Sequence, residues 1–365
     1  MKYVESLNQA LHQLMAEDDR VFLIGEDLLD PYGGAFKVSK GLSTCYPNKV
    51  ISTPISEAAI TGFATGMALR GMFPIVEIMF GDFITLCADQ IINHAAKFHD
   101  MYNRQVTVPM VIRTPMGARR GYGPTHSQTL ESIFLSIPHL KIVAPSHAHM
   151  PGDLLKHVTV KEDQPVLFIE NKLLYPENLI FYGKTAYADF HCQQVINENS
   201  NYPTLSISMY PDECSDIVLI GYGGMLPFML EAVKQIFLQK EILVELLVPS
   251  LIKPIPIKDF IGAVDQVRKV IIVEEGNITG GWGAELSAQI YENTKTSLLA
   301  PIRRIGMQDK IIPSAGHLER LILPGVEDII KLASNENPLG CSSLAQQALA
   351  HLTPHQLALY PAPSH

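Results

Sequence analysis

The chain has 365 residues, of which 47% are hydrophobic and 18% are charged, and its formal net charge is −9. These values are typical of a folded protein of two domains with room for a large subunit interface. The negative charge and the lack of a basic stripe argue against nucleic acid as a partner. No apolar run approaches the roughly 20 residues of a membrane-spanning helix, so we expect no membrane association.

Residues 1–20 predict an amphipathic helix and lack the apolar centre of a signal peptide. The cysteines form no CxxC pair, so neither a disulfide framework nor a zinc site is expected; they are Cys45, Cys87, Cys192, Cys214 and Cys341. We therefore expect a cytoplasmic protein.

In the first half of the chain, short apolar runs alternate with helical patterns. Repeated strand–helix units predict a parallel sheet that is covered by helices on both faces. Strands are predicted at 21–27, 74–80, 109–115, 140–146 and 165–171, and helices at 56–70, about 83–101 and about 148–161.

From about Leu174 to Asp216 the pattern weakens into Tyr, Pro, Asn and Ser, which predicts an interdomain connection with some structure of its own. Alternation then resumes, with strands at 216–223, 242–250, 269–276 and 301–306 and helices near 226–239, 257–267 and 282–293. The predicted fold class is α/β, with two parallel-sheet domains at 1–175 and 215–330, a connector at 176–214 and a tail at 331–365.

The stretch "PISEAAITGFATGMALRG" (54–71) predicts a helix of mostly small residues with one carboxylate, Glu57, in its first turn. Ser56 is a good N-cap. Ala58, Gly62 and Gly66 are spaced by four and share one face, which allows another backbone to approach closely. Two interpretations stay open: Glu57 complements the helix dipole, which is worth roughly 0.3–1 kcal/mol, or it serves a functional site.

Phe83 is predicted where a buried strand ends and a helix begins. Because α/β proteins bind ligands at the carboxyl ends of parallel strands, Phe83 is either a core residue or part of a binding site. Asp82 is predicted to cap the same helix.

The segment "RTPMGARRGYGPTHSQTLES" (113–132) combines three Gly, two Pro and two adjacent Arg after a strand. It predicts a loop over the end of the sheet that presents His126, a side chain whose charge changes near neutral pH. The alternative is that His126 caps the next helix.

Other motifs point away from several functions. The glycines at 25–36 form neither a GxGxxG nor a GxxxxGKS motif, and no GxSxG elbow occurs. The "HAH" at 147–149 and the pair His94 and His99 lack the further ligands of a metal site. "EEGNITGGWGAE" (274–285) predicts a tight strand-to-helix turn.

With Glu57, Phe83 and the His126 loop in this order, the chain resembles the beta subunit of the decarboxylating component of thiamine-diphosphate-dependent 2-oxoacid dehydrogenases, a family with pyruvate, branched-chain and acetoin members. The resemblance covers about residues 1–330 and implies a transketolase-like pyrimidine-binding domain followed by a transketolase C-terminal-like domain. The matching blocks are "LIGEDLLDPYGGAFKVSKGL", "VISTPISEAAITGFATGMALRGMFPIVEIMFGDF", "DQIINHAAKFH", "HSQTLE", "LKIVAPS", "VEEGNITGGWGAE" and "PIRRIG".

The resemblance implies roles for four side chains. The glutamate at the position of Glu57 hydrogen-bonds a ring nitrogen of the cofactor's aminopyrimidine, which requires a carboxyl group that can donate a proton. Phe83 matches the aromatic residue that packs against the aminopyrimidine, and Met79 lies on the same strand end and belongs to the cofactor site. His126 matches the histidine that assists substrate binding and acyl transfer to a lipoyl group.

The resemblance also implies partners. The family's GDG…Asn motif for diphosphate and magnesium is absent from this sequence, so an alpha subunit in an α2β2 tetramer is expected to hold the magnesium ion and that half of thiamine diphosphate. A small 2-oxoacid is the expected substrate, and a lipoyl acyltransferase core is a further expected partner. In some members a potassium ion is coordinated through backbone oxygens at positions near Thr159, Val160, Glu162 and Gln164. The alternative function is a non-catalytic scaffold that keeps the fold and partner binding.

The last residues carry a second resemblance. "IKLASNENPLGCSSLAQQALAHLTPHQLALYP" (330–361) is similar to the N-terminal segment of histidinol-phosphate-type aminotransferases. The remainder of such an enzyme does not follow, so no aminotransferase activity is expected. The segment is interpreted instead as a piece of a fused polypeptide or as a relic from one.

Overall fold

In the computed structural model, residues 1–180, 187–195 and 201–333 are described. The predicted tail beyond Ala333, its aminotransferase-like segment and Cys341 lie outside the described residues. The strands are β1 (Val21–Gly25), β2 (Val50–Ser52), β3 (Phe73–Glu77), β4 (Val111–Met116), β5 (Lys141–Val143), β6 (Val166–Asn171), β7 (His191–Gln194), β8 (Thr204–Ser208), β9 (Ile217–Gly221), β10 (Val244–Pro249), β11 (Leu251–Lys253), β12 (Val270–Asn277) and β13 (Arg303–Met307).

The helices follow the same alternation, and over this part of the chain none is long and apolar enough to cross a membrane. They are α1 (Tyr3–Glu17), α2 (Leu42–Cys45), α3 (Glu57–Leu69), α4 (Phe98–Met101), α5 (Pro151–Lys161), α6 (Leu226–Lys240), α7 (Ile257–Val267), α8 (Trp282–Asn293), α9 (Gly316–Glu319) and α10 (Val326–Ala333).

The first sheet has seven strands in the order β11-β5-β6-β4-β3-β1-β2. All pairings are parallel except that of β11 with β5. Because side chains of a strand alternate between faces, Leu23 and Ile75 pack toward α1 and α5, while the next residues, Ile24 and Val76, pack toward α3. The sheet is therefore covered on both faces, as predicted.

The second sheet has six strands in the order β13-β12-β9-β10-β8-β7. Its centre is parallel, and β8 and β7 add an antiparallel edge. The helices α6 and α10 cover one face, while α7 and α8 lie on the other and share one hydrophobic cluster with the first sheet. That shared cluster packs the two halves of the chain against each other.

Two features join the halves directly. Strand β11 follows β10 of the second sheet but pairs with β5 of the first. The indole of Trp282, fully buried at the start of α8, donates a hydrogen bond to the carbonyl oxygen of Ile252 in β11 at 3.1 Å. The motif at 274–285 is thus the strand-to-helix turn that the sequence predicts.

The α/β fold class is confirmed, although both sheets carry antiparallel edge strands and are therefore mixed. The segment predicted as a connector contains β7 and β8, which belong to the second sheet.

The prediction of one helix over 83–101 is wrong: a 3₁₀ helix (Gly81–Cys87), a π-helix (Gln90–Ala95) and α4 replace it. The tighter 3₁₀ winding brings side chains three residues apart onto one side, and it buries Ile84 and Cys87 together.

Candidate active site at the carboxyl edge of the first sheet

Five parallel strands of the first sheet end at the same edge, and each is followed by a residue or loop with polar or aromatic side chains. In sheet order, Lys172 follows β6, the loop 117–126 follows β4, residues 78–80 follow β3, and Glu26 follows β1; the segment after β2 leads to Glu57. In open α/β sheets this edge is where ligands bind. The predicted site residues therefore come from neighbouring strands.

Glu57 is the first residue of α3 and is only 6% exposed. A second buried carboxylate, Glu26, lies beside it: burial raises the pKa of Glu26, and the charge of Glu57 raises it further. The Oε1 atom of Glu26 is buried without a hydrogen-bond partner among the described residues. Two adjacent buried carboxyl groups, one with an unused oxygen, are unusual unless another group pairs with them.

The helix α3 buries one side and leaves the other open. Ile60 and Ala64 pack in the core, and α3 lies against the 3₁₀ helix that carries Cys87. Burial raises the pKa of the Cys87 thiol to about 11, and the nearby Glu57 charge acts in the same direction. On the outer side Phe63 is 59% exposed, and a Cβ added at Gly66 would meet no atom within 4 Å.

Phe83 and His126 lie together. Phe83 is the third residue of the 3₁₀ helix, and its ring centroid is 5.2 Å from that of His126. The Phe80 ring contacts both, at 5.7 Å from Phe83 and 4.8 Å from His126. Met79 precedes Phe80 in the turn after β3, where it is partly buried. The structure thus brings Phe83 and His126 together around Phe80, with Met79 one residue before Phe80 in the chain. The helix α3, which carries Glu57, packs against the same 3₁₀ helix.

The first half of the loop 117–126 is held by the second half of the chain. The Ala118 amide donates to Glu275 Oε1 at 2.9 Å, and the Arg119 amide donates to Glu319 Oε1 at 2.6 Å. Gly117 has a positive φ of 99°, and an added Cβ would lie 2.6 Å from Asn171 Nδ2. A residue with a side chain is therefore excluded there by both backbone conformation and space.

The second half of the loop is held by the first sheet. Lys172 is fully buried, and its Nζ donates to the carbonyl oxygen of His126 at 2.6 Å. The same Nζ lies 5.3 Å from the centroid of the Phe80 ring. Burial lowers the pKa of Lys172 to about 8, against the opposing charges of Asp82 and Glu275.

Behind the site, charged side chains of three strands form a buried network. Arg113 on β4 pairs with Glu77 on β3 and with Glu170 on β6, its Nη2 lying 2.6 Å from Glu170 Oε2. Tyr175 donates to the same Oε2 atom at 2.6 Å. A Cβ added at Gly34 would collide with Glu77, so the glycine loop after β1 packs directly against this network.

Comparison with known proteins identifies the architecture. A family model described as the transketolase pyrimidine-binding domain matches residues 1–178, and one described as the transketolase C-terminal domain matches residues 210–329. The pyruvate dehydrogenase E1 component beta subunit of Pisum sativum is 36% identical over 90% of this chain and 88% of its own length. That of Rickettsia conorii is 32% identical over 90% of this chain and 95% of its own length. The chain belongs to the E1 beta-subunit family.

Solved structures agree with the fold of this E1 beta-type chain. A split-gene transketolase, solved as an inactive beta4 tetramer, superimposes with a TM-score of 0.69 over 92% of this chain and 97% of that chain at 17% identity. A transketolase from Campylobacter jejuni superimposes with a TM-score of 0.65 over 91% of this chain but 46% of its own length. At these identities the likeness concerns the fold alone.

The potassium prediction falls on the end of α5 of this E1 beta-type chain. Thr159 is buried and its hydroxyl donates to the Leu155 carbonyl at 2.7 Å, while the Glu162 carboxylate accepts from Lys141 Nζ at 2.6 Å. Backbone carbonyls at a helix C-terminus carry partial negative charge. In the described ranges no three His, Cys, Asp or Glu side chains are grouped to hold a metal ion. A potassium site formed by backbone carbonyl oxygens stays a prediction.

One sequence-based prediction about the edge is wrong, and several residues were missed. Asp82 does not cap its own helix; its Oδ1 accepts from the Gln128 side chain at 2.8 Å and so ties the 3₁₀ helix to the segment after His126. Glu26, Phe80 and Lys172 were not singled out from the sequence. Each directly follows a strand or its turn, so applying the strand-end rule to every strand would have found them.

Proposed function

We propose that this chain is the beta subunit of a thiamine-diphosphate-dependent 2-oxoacid dehydrogenase and supplies the aminopyrimidine half of the cofactor site. The observation that carries the proposal is the buried Glu57 at the start of α3, beside an edge at which Phe83 and His126 are in contact. The relatives of comparable length are named as pyruvate dehydrogenase E1 components.

The residues present fit the cofactor's aminopyrimidine. A heteroaromatic ring needs a carboxyl group for its ring nitrogen and an apolar surface for its face. Glu57 provides the first, Phe83 with Met79 provides the second, and the unused oxygen of Glu26 is a further acceptor near Glu57. When bound, thiamine diphosphate supplies the electron sink for loss of carbon dioxide from a 2-oxoacid.

This chain's residues have three tasks in the proposed reaction. Glu57, buried at the start of α3, provides the carboxyl group that hydrogen-bonds the ring nitrogen. Phe83 orients the ring by packing against it. His126, at the end of a loop over the edge, binds the substrate and assists transfer of the acyl group to a lipoyl group.

The site requires an alpha subunit. The outer face of α3 exposes Gly62, Phe63 and Gly66, and Ile55 just before α3 is 82% exposed. A helix face of small residues next to exposed apolar side chains is suited to close approach of another polypeptide. We propose that the alpha subunit covers this face in an α2β2 tetramer and holds magnesium and the diphosphate.

Three finer proposals come with the function. A lipoyl acyltransferase core is the acceptor of the acyl group, and a potassium ion binds the carbonyl oxygens near Thr159, Val160, Glu162 and Gln164. The sequence favours a cytoplasmic location, whereas the plant relatives are mitochondrial by name.

The test is to co-express the chain with its alpha subunit and to measure decarboxylation of pyruvate, of branched-chain 2-oxoacids and of other small 2-oxoacids. The assembled protein should bind thiamine diphosphate and turn over at least one substrate, while the chain alone should do neither. Robust decarboxylation by the isolated chain would contradict the shared site. An assembled protein that binds its partner but turns over no 2-oxoacid would favour the non-catalytic scaffold instead.

A further inference from the structure

A buried lysine reaches the backbone of the proposed substrate-binding histidine. Lys172, the first residue after β6, has 0% exposure, and its Nζ is 2.6 Å from the carbonyl oxygen of His126. An ammonium group that leaves water costs free energy unless it finds acceptors in the protein. The His126 carbonyl is such an acceptor, and the faces of Phe80 and Tyr122, at 5.3 and 6.0 Å, provide cation–π contacts.

The lysine has a specific place in the loop's support. Second-domain contacts from Glu275 and Glu319 hold residues 118 and 119. At the far end, the His126 amide donates to the Gly123 carbonyl oxygen at 3.4 Å, which is a long hydrogen bond within the loop. Lys172 provides the charged hydrogen bond that fixes the histidine's own peptide to the sheet, and charged hydrogen bonds are the stronger kind.

The same lysine links the other side of the edge. The Arg120 Nη1 atom donates to the Lys172 carbonyl oxygen at 3.3 Å. The backbone of Lys172 therefore accepts a hydrogen bond from Arg120, while its side chain donates one to His126. The His126 ring then lies in contact with Phe80 and Phe83. Moving the His126 peptide would move this ring away from the proposed cofactor.

We propose that Lys172 is a positioning residue for His126, acting through the hydrogen bond from its buried ammonium group to the His126 carbonyl oxygen. The proposal rests on the function proposed above, because it gives the histidine a substrate-binding role. Lys172 does not touch the substrate; it fixes where the imidazole stands.

The first experiment measures the protection of the loop 117–126 from proteolysis and does not depend on enzyme activity. Trypsin cleavage after the exposed Arg120 is timed in the full chain assembled with its alpha subunit, for wild type, Lys172→Met and Lys172→Arg. Loss of the hydrogen bond should accelerate cleavage at this bond about tenfold or more, and Lys172→Arg, which keeps the charge and donors, should restore part of the protection. Lys253→Met is the matched control, since Lys253 Nζ also points to a backbone carbonyl, that of Phe134 at 3.5 Å, away from the loop.

The second experiment asks whether the lysine acts through His126. Lys172→Met should raise KM for the 2-oxoacid about tenfold or more, with a smaller change in kcat and with unchanged affinity for thiamine diphosphate. The double variant with His126→Ala should be no worse than His126→Ala alone, because residues that act through one another are not additive.

The outcomes separate this proposal from the proposed function. If wild-type enzyme turns over no 2-oxoacid, the proposed function fails, and the cleavage experiment still decides whether Lys172 holds the loop. Wild-type cleavage rates in Lys172→Met would overturn the positioning role. So would independent, multiplying effects of the two substitutions on kcat/KM.

Discussion

The two sides of the proposed site are completed in different ways. On the His126 side, the loop 117–126 is fastened by Glu275 and Glu319 of the second half of the chain and by Lys172 of the first. On the Glu57 side, the outer face of α3 has no covering element among the described residues, and a Cβ at Gly66 would meet nothing within 4 Å.

This difference indicates which parts of the site the chain prepares alone. A loop with several left-handed residues costs conformational free energy unless its backbone is held from several directions, and here the chain supplies these contacts itself. The face of α3 shows the opposite character, since small residues at the surface gain nothing until another backbone packs on them. We therefore expect the histidine side to be formed in the isolated chain and the glutamate side to be finished only on assembly.

The largest expected effect is on the Glu57 side. Glu57→Gln keeps the shape of the side chain but replaces its ionisable carboxyl group by an amide, so the assembled enzyme should lose roughly 100- to 1,000-fold in kcat, the range typical of a lost acid–base group. Steady-state decarboxylation assays measure this, and size-exclusion chromatography should show intact assembly.

Glu327→Gln is the matched control for this substitution. Glu327 is also an acid in the first turn of a helix, but it is exposed on α10. It should retain full activity. Equal activities of the two variants would mean that Glu57 is no more than a helix-end charge.

The second prediction tests the open face of α3. Gly66→Leu should leave the isolated chain folded, because nothing in the chain fills that space, yet it should weaken binding of the alpha subunit about 10- to 100-fold through overpacking. Affinity can be measured by titration calorimetry.

Two controls sharpen the Gly66 experiment. Gly262 is likewise exposed in a helix, α7, with no atom within 4 Å of an added Cβ, and Gly262→Leu should not affect the affinity. Gly66→Ala should stabilise the isolated chain by about 0.5–1 kcal/mol through helix propensity. Unchanged alpha-subunit binding by Gly66→Leu would place the partner elsewhere.

The sequence predicts the Glu57 side of the site better than the His126 side. The spacing of Gly62 and Gly66 and the N-terminal position of Glu57 are local properties of one helix, and the structure confirms both. The contacts of Ala118 with Glu275 and of Arg119 with Glu319 join residues 157 and 200 positions apart. No local pattern encodes such pairs, and the same holds for the three-strand network around Arg113.

The helix predicted over 83–101 shows another limit. Periodicity reports that Ile84, Cys87, Ile91 and Ala95 are buried on one side, but it does not distinguish an α-helix from a 3₁₀ turn followed by a π-turn. That distinction matters for the site, because Phe83, which contacts His126, lies in the 3₁₀ part. The order of the strands in the sheet and the burial of Lys172 after β6 also depend on the tertiary structure and are not predicted by local patterns.

The third prediction concerns the loss of stability at acid pH through two buried histidines where the two halves of the chain meet. His147 and His149 are buried after β5, and burial lowers the pKa of each to about 4. His149 Nδ1 accepts from the Ser146 amide at 3.0 Å, so protonation at this atom would break that hydrogen bond. Because the unfolded chain binds the protons near pH 6.5, the stability that these groups contribute should be lost as the pH falls from about 6.5 to 4.

The measurement is urea unfolding at pH 7 and pH 5. Each histidine should lower the free energy of unfolding by about 2 kcal/mol over this interval. His149→Asn keeps an acceptor for the Ser146 amide but does not titrate, and it should remove one histidine's share of the pH dependence. An identical pH dependence in wild type and variant would show that His149 does not titrate with unfolding.

The smallest expected effect lies on the His126 side, at Glu275. Its carboxylate accepts from the Ala118 amide at 2.9 Å and from Asn171 Nδ2 at 2.7 Å. In Glu275→Gln one of these donors would face the new amide group, so the loop should lose about 1–2 kcal/mol of local stability and KM should rise several-fold, while alpha-subunit affinity stays unchanged. Glu285→Gln, an exposed site on α8, is the matched control for the chemical change. Weaker alpha-subunit binding by Glu275→Gln would mean that the loop also belongs to the partner interface, and the two sides of the site would then both depend on assembly.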